Sequence, residues 1–304
     1  MIILGIETSC DDSAVALVKN GTEVIGSSIS SQMHSSAGGV IPEKASRMHI
    51  EILPLLVDDL LKRFPDVKID KLAVTTNPGL IPSLLVGVSF TYGFARAKGL
   101  EVIDINHLYS HVYANILEHP DIEFPHLSLL ISGGHTQIIK VMSPIEMEVI
   151  GTTLDDACGE AFDKVARMFG LGYPGGPIVS KLALKGNEKA VNFPRPMIHS
   201  NDYNFSFSGI KTAVKRFIDS NKDVSKEDIL ASFEAAVAEV LVKKTIKAAK
   251  EYKLNTITLS GGAAANLRIR EEFYKYKEDF TFFFPDISLC GDNAITVAGL
   301  AYHY

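Results

Sequence analysis

The sequence predicts a duplicated α/β fold, and three observations support that prediction. Two stretches open alike, with an apolar β-branched strand, a tight polar or glycine turn, and a strand returning from it. Leu130-Ile131-Ser132-Gly133-Gly134 is echoed by Thr258-Leu259-Ser260-Gly261-Gly262. The chain has 304 residues, 46% hydrophobic and 22% charged, an ordinary globular composition with length for two domains.

The first half begins with a strand over residues 2–7, the polar turn 8–13 and a returning strand over 14–19. Asn20-Gly21 is a hairpin signal and leads to a third strand over 22–28. A helical region follows over 42–64. A strand over 72–76 ends at Asn77-Pro78-Gly79, then a helix over 83–98 leads to a short strand over 101–105. A helix carrying two histidines starts just after it. In the second half, strands over 127–132 and 136–141 flank Gly133-Gly134. Helices are expected over 157–169 and 176–185, with a long amphipathic one over 226–252. A strand over 256–260 ends in Gly261-Gly262, and helices over 263–276 and 292–302 finish the chain. The expected division is an N-terminal lobe over 1–106, with 292–304 a candidate to complete it, and a C-terminal lobe over 107–291 with helical insertions.

A net charge of −6 does not advertise a nucleic-acid binder, although a local basic patch suffices for one. Lys211, Lys215 and Arg216 form one basic cluster. Lys243, Lys244, Lys247 and Lys250 form another along a helix; a solvated helix face is the plainer reading of each. The apolar stretch 80–97 is broken by Pro82, Ser83, Gly87, Ser89 and Gly93, so it reads as a buried helix and not a membrane span. The N-terminus shows no basic leader, and three scattered cysteines suit free thiols in a reducing cytoplasm. Neither a G-x-x-x-x-G-K-[ST] phosphate loop nor a G-x-S-x-G elbow is present.

The chemistry-bearing feature is His107-Leu108-Tyr109-Ser110-His111. Histidines four apart share one helix face and can reach one metal ion. Leu108 stands where a metallopeptidase helix carries its glutamate base, which argues against peptide hydrolysis. Asp292, at the turn into the last helix, is a candidate third ligand or simply that helix's cap. Two histidines and a carboxylate suit Fe(II) or Zn(II). Glycines directly after strands let a backbone approach phosphate. Asp155 or Asp156 is expected to cap the helix near 157. Asp163 could hold ribose hydroxyls or form a salt bridge. Tyr173-Pro174-Gly175-Gly176-Pro177 could admit a flat base or make a turn. Asn266 could bind a ligand or cap its helix.

Together these residues resemble the tRNA N6-adenosine threonylcarbamoyltransferase family, in its bacterial TsaD branch. The matching segments include Gly5-Ile6-Glu7-Thr8-Ser9-Cys10-Asp11-Asp12, Gly39-Val40-Ile41-Pro42-Glu43, the histidine helix, Phe205-Ser206-Phe207-Ser208-Gly209-Ile210-Lys211-Thr212 and Cys290-Gly291-Asp292-Asn293, in order along nearly the whole chain. The resemblance implies the actin-like (actin/hexokinase/Hsp70) ATPase fold, with two lobes around a nucleotide cleft. It implies a divalent metal, iron(II) or alternatively zinc(II), on His107, His111 and Asp292. It implies substrate binding by Leu130, Ile131, Ser132, Gly133, Gly134, Asp163, Gly176 and Asn266. Thr8, Ser9, Gly261 and Gly262 are expected near phosphate, and Asp11 or Asp12 is a candidate proton acceptor. The implied reaction moves threonylcarbamoyl from its adenylate to the adenosine beside the anticodon, at position 37, in tRNAs reading codons that begin with A; AMP leaves. The implied partners are tRNA, an inactive TsaB-like paralogue and a small TsaE-like P-loop ATPase. Asn77-Pro78-Gly79 departs from the usual Gly-Pro-Gly, and relatives usually continue beyond the position of Tyr304.

Overall fold

The computed structural model describes residues 1–32, 39–221 and 223–304. They form two compact units, Met1–Ile122 with Ile287–Tyr304, and Glu123–Asp286. The division expected after residue 106 thus lies after 122, and residues 287–291 join the first unit. The histidine helix packs its apolar side against the last helix, which fixes both in that unit.

The first unit has a five-stranded sheet. β1 (Ile2–Glu7), β2 (Asp12–Lys19) and β3 (Glu23–Ser31) form an antiparallel meander, and β4 (Lys71–Asn77) and β5 (Glu101–Asn106) extend it in parallel on the other side of β1. The order is β3-β2-β1-β4-β5. Asn20 and Gly21 take φ of 52° and 83°, the left-handed values a two-residue hairpin requires. β1 and β2 are buried on both faces, so they read as continuous apolar runs and not as alternation. Leu4, Ile6, Val15 and Leu17 face α1 (Pro42–Arg63) through Leu53, Val57 and Leu60, beside α2 (Ile81–Lys98). Ile3, Ala14, Ala16 and Val18 face Tyr113 of α3 (His107–Glu118) and Val297 of a later helix. Burying each such aliphatic side chain is worth about 1.5–3 kcal/mol.

The second unit repeats this plan. β6 (His126–Ile131), β7 (Thr136–Ser143) and β8 (Glu146–Thr152) form the meander. α4 (Cys158–Met168), α5 (Gly175–Ala183), α6 (Ser208–Ser220) and α7 (Lys226–Tyr252) follow. β9 (Thr256–Ser260) pairs in parallel with β6, and after α8 (Leu267–Tyr274) β10 (Thr281–Phe283) pairs in parallel with β9. The order β10-β9-β6-β7-β8 matches the first sheet strand for strand. α7 is a central helix, not an amphipathic surface one: residues 229–238 are buried without a break. β8, α6 and β10 lie outside the elements the sequence suggested. The chain returns to the first unit through α9 (Ile287–Cys290) and α10 (Ala294–Ala301). α10 lies directly on β1: a Cβ on Gly5 would come within 2.5 Å of the Ala294 carbonyl oxygen. Among the described residues, no helix is long and apolar enough to cross a membrane.

Candidate functional site

The first unit gathers His107, His111 and Asp292. One ligand atom from each lies within 4.8 Å of the others. The helix that carries the histidines is held at its first turn by Asn106, whose Oδ1 accepts from the amides of Leu108 (2.9 Å) and Tyr109 (3.2 Å). Asn106 in turn donates through Nδ2 to Asn77 Oδ1 at 3.1 Å, so the asparagine that departs from the usual glycine braces the histidine helix. Gly79 keeps its requirement for glycine, because a Cβ there would sit 2.6 Å from the Ser9 carbonyl oxygen. The last helix is capped by Asn293, whose Oδ1 accepts from Thr296 N at 3.0 Å. Asp292 is therefore not the cap, and its carboxylate turns to the histidines: Oδ1 lies 3.2 Å from His111 Nε2 and 3.6 Å from His107 Nε2.

Two further residues complete this cluster: Glu7, which the sequence did not single out, and Ser9, which was expected near phosphate. Glu7, at the end of β1, is 1% exposed. Its Oε2 accepts from Thr75 Oγ1 at 2.5 Å and lies 3.1 Å from His107 Nδ1, while Oε1 accepts from the Ser9 amide. Ser9 Oγ lies 3.2 Å from His107 Nδ1. An Nδ1–H donated to Glu7 leaves the Nε2 lone pair of His107 for a metal, the carboxylate–histidine–metal relation of many metal sites. The only signal in the sequence was a charged residue ending a buried strand.

The electrostatics are those of two buried carboxylates set against two imidazoles. Burial works against charge on Glu7, yet His107 outweighs it and the carboxyl lies below its ordinary range. Burial likewise opposes Asp292, but His107 and His111 hold it well below. His107 is disfavoured as a cation by burial; Glu7 and Asp292 overcome that and push it up to about 9. His111 Nε2 is buried and has no well-aligned hydrogen bond among the described residues. Two imidazole nitrogens and a carboxylate oxygen, a tautomer fixed by Glu7 and an unsatisfied buried nitrogen fit an Fe(II)- or Zn(II)-type ion.

The other expectations for this unit divide. Thr8 is fully buried and its hydroxyl donates to the Ser83 carbonyl at 3.0 Å, so that hydroxyl is a structural tie. Asp12 opens β2; burial, offset by a bond from Ser31 and reinforced by Asp292, Asp11 and Glu7, lifts its pKa to about 6. Asp11 uses its main-chain carbonyl to accept from Gln32 N at 3.2 Å. Cys10 is half-buried, and burial, then Asp11, pushes its thiol up, which removes it as a ready ligand.

The second unit gathers the expected ligand residues at the ends of β6 and β9 and the start of α5. Leu130 and Ile131 are buried strand residues, so only their backbone is available. Ser132 closes the turn: Ser132 N donates to the His135 carbonyl at 2.8 Å, and Ser132 Oγ accepts from His135 N at 3.0 Å. A Cβ on Gly133, Gly134, Gly176 or Gly262 would meet nothing within 4 Å, and none of the four has positive φ. Neither packing nor conformation demands glycine there, so their backbone is open to close approach. Gly261 differs: its φ is +84° and a Cβ would lie 2.6 Å from the Ile131 carbonyl oxygen. Gly175 is likewise structural, with a Cβ 2.6 Å from that of Ala166.

Asp163 is turned to this backbone. Its Oδ1 accepts from Gly175 N at 2.7 Å; burial raises its pKa, against bonds from the Gly175 and Gly176 amides. It orients the α5 entrance. Asp155 does not cap α4 as expected but caps α6, accepting from Ser206 Oγ (2.6 Å), Phe207 N (2.8 Å) and Ser208 N (3.2 Å). Asp156 holds Lys164 and Lys211 at 2.7 and 2.6 Å. The lysines of α7 are not a solvated stripe: Lys244 is 1% exposed and donates to Met197 O (2.9 Å) and Ser200 Oγ (2.6 Å), while Lys247 donates to Ser200 O (2.8 Å).

Similarity to known proteins agrees with these features. A model of the tRNA N6-adenosine threonylcarbamoyltransferase family (TsaD) matches residues 23–299. The enzyme of that name from Thermosipho melanesiensis is 48% identical over 308 residues, covering 99% of this chain and 94% of its own. That from Syntrophomonas wolfei is 47% identical over 316 residues, covering 100% and 92%. Among solved structures, HypF of T. kodakarensis superposes with a TM-score of 0.71 at 14% identity, over 99% of this chain and 47% of that one. The Acidaminococcus fermentans (R)-2-hydroxyglutaryl-CoA dehydratase component A gives 0.59 at 16%, over 100% and 98%. At such identities the likeness shows the fold alone, and that fold is the actin-like ATPase fold. The chain belongs to the tRNA N6-adenosine threonylcarbamoyltransferase family.

Proposed function

We propose that this chain transfers threonylcarbamoyl from threonylcarbamoyl-adenylate to N6 of adenosine 37, beside the anticodon, in tRNAs reading codons that begin with A. The observation that carries this reading is the pair of chemistries in one chain: a His107/His111/Asp292 cluster with the donor set of a divalent-metal site and open glycine backbone at Gly133, Gly134, Gly176 and Gly262. The donor is a mixed carbamoyl–phosphate anhydride and is already activated. The N6 nitrogen bonds to the carbamoyl carbon, the bond from that carbon to the phosphate oxygen breaks, and AMP leaves with the electron pair. No protein nucleophile is needed.

A divalent ion on His107, His111 and Asp292, iron(II) in our reading with zinc(II) the alternative, supplies Lewis acidity toward carbonyl and phosphoryl oxygens. Glu7 orients His107 for it. The glycine amides approach the adenylate phosphate, and Asp163 holds the α5 entrance that carries Gly176. Asp12, with a pKa lifted to about 6 by burial, or Asp11 is the candidate to take the amine proton. Asp12→Asn with an unchanged single-turnover rate would remove that role. An inactive paralogue of the same fold and a small P-loop ATPase are the proposed partners. The test mixes the purified chain with threonylcarbamoyl-adenylate, tRNA and those partners. AMP release with threonylcarbamoyladenosine in the tRNA digest is expected; unmodified tRNA would overturn the reading.

A further inference from the structure

His49 breaks the pattern of its helix. The buried face of α1 carries Ala45, His49, Leu53, Val57 and Leu60, so an imidazole stands in an otherwise apolar row and is itself fully buried. A polar ring in that place is costly unless its nitrogens find partners. Both do. Nε2 lies 3.0 Å from the Cys10 carbonyl oxygen and Nδ1 lies 2.7 Å from Ser13 Oγ. The carbonyl can only accept, so Nε2 carries the hydrogen, and the neutral ring accepts from the Ser13 hydroxyl at Nδ1. One side chain thus clasps the β1–β2 turn at two points, on either side of Asp11 and Asp12.

The turn is held by its carbonyls. Ser9 O accepts from Leu80 N at 2.8 Å, Cys10 O from His49, and Asp11 O from Gln32 N at 3.2 Å. Three successive carbonyls are therefore bound from the entrance of α2, from α1 and from the residue after β3. Two of these donors are main-chain amides, and His49 is the side chain among them. What they fix is Ser9. Its amide donates to Glu7 Oε1 and its Oγ lies 3.2 Å from His107 Nδ1. The residue next to Cys10 thus meets both the carboxylate and the imidazole whose tautomer decides whether Nε2 is open to a metal.

We infer that His49 is a positioning residue of the His107/His111/Asp292 centre: from α1 it fixes the β1–β2 turn, so that Ser9 holds Glu7 and His107 in the arrangement that leaves the His107 Nε2 lone pair to a divalent ion. This rests on the reading that the cluster takes such an ion. A leucine at this position would suit the apolar row of α1. What the imidazole supplies and leucine does not is the pair of bonds to the turn. Without them the Cys10 carbonyl loses its donor, and the turn is free to draw Ser9 away from Glu7 and His107.

Competition between the purified full chain and a calibrated chelator for Zn(II) tests this. His49→Leu should weaken Zn(II) binding about three- to tenfold, less than the loss of about 10- to 100-fold that removing a direct partner of a ligating histidine brings. His49→Gln places an amide nitrogen near the position of Nε2, keeps the bond to Cys10 and should restore most of the affinity. His49→Asn can reach Ser13 but not Cys10, and should behave as the leucine variant does. The Glu7→Gln background closes a cycle: once Glu7 no longer orients His107, His49→Leu should have little further effect, whereas independent sites add. Melting curves in excess chelator confirm the fold of each variant; a role confined to packing would lower the melting temperature and leave Zn(II) affinity unmoved. A folded His49→Leu protein that binds Zn(II) as tightly as wild type would overturn the inference, as would equal affinities of the Gln and Asn variants or additivity with Glu7→Gln. Wild type that binds no Zn(II) would overturn it together with the reading of the cluster as a metal centre.

Discussion

Glu7→Gln is the sharpest perturbation of the metal centre, because it changes no ligand. The native carboxylate is 1% exposed and faces three donors, the Ser9 amide, Thr75 Oγ1 and His107 Nδ1. A glutamine of the same shape keeps the Ser9 amide bond with its carbonyl in the Oε1 place only by presenting its NH₂, in the Oε2 place, to Thr75 Oγ1 and His107 Nδ1. The imidazole then accepts at Nδ1 and carries its hydrogen on Nε2, the nitrogen 3.6 Å from Asp292 Oδ1. That tautomer has no lone pair for a metal. Restoring it costs a rearranged, poorly satisfied buried amide, and loss of such a carboxylate partner weakens metal binding about 10- to 100-fold, or roughly 1.4–2.7 kcal/mol. Stability should change less, since hydrogen bonds to a charged group are lost but a buried charge is also removed. The assay is competition between protein and a calibrated chelator for Fe(II) under anaerobic conditions and for Zn(II), with melting recorded in excess chelator. His111→Ala, which deletes a ligand, sets the scale of complete loss. A folded Glu7→Gln protein that binds either ion as tightly as wild type would refute the orienting role of Glu7.

Acid sensitivity should come from His126. Its Nδ1 donates to the Glu123 carbonyl at 3.1 Å, its Nε2 is buried with no hydrogen-bond partner among the described residues, and burial pulls its pKa down to about 4. The unfolded chain binds this proton from about pH 6.5 downward and the folded one does not, so stability present above that pH is lost toward pH 4, by roughly 3 kcal/mol. Urea unfolding at pH 7.5 and 5 should show a smaller pH dependence in His126→Asn. Gly175→Ala should destabilise by about 1–3 kcal/mol through its clash with α4, whereas Gly176→Ala should leave melting nearly unchanged but weaken AMP binding. Equal behaviour of the two would remove the distinction between packing and ligand glycines. Lys244→Met, which breaks the ties to Met197 and Ser200, should cost about 2–3 kcal/mol by denaturant titration, against under about 0.5 kcal/mol for the exposed, paired Lys243→Ala.

The strands buried on both faces were legible because their apolar runs are unbroken, and Asn20-Gly21 because only such residues tolerate two positive φ values in succession. The histidine pair was legible from helical spacing. What sequence hid was partnership. Glu7 reads as one acid at a strand end until β4 brings Thr75 beside it. Lys244 reads as one of a row of lysines until the 197–202 loop folds over it. β8 and β10 were missed because β8 is a half-exposed edge strand with two glutamates and β10 has three residues. Asp155 was matched to the wrong helix because it lies close in sequence to α4 but, through the fold, at the first turn of α6.

The repeated topology explains how one chain carries opposite chemistries. The turn from β1 to β2 and the turn from β6 to β7 hold the same place in their sheets. In the first unit the turn is drawn inward: Thr8 binds Ser83, the Ser9 amide binds Glu7, and the Cys10 carbonyl accepts from His49 at 3.0 Å. The Thr8 hydroxyl and the Ser9 amide are thereby used, and the carboxylates of Glu7, Asp12 and Asp292 stand around the turn. In the second unit the equivalent turn is Ser132-Gly133-Gly134-His135, closed on itself by Ser132 and tied to α4 by the Gly159 amide, which donates to the Ser132 carbonyl at 3.3 Å; a Cβ on Gly133 or Gly134 would meet nothing within 4 Å. The ends of the parallel strands diverge in the same sense. β4 runs into Asn77, which braces the helix bearing the histidines, while β9 runs into Gly261-Gly262, whose second glycine is open. Backbone order is thus the same in the two units, and they differ in what surrounds the equivalent turn: carboxylates in the first, open glycines in the second.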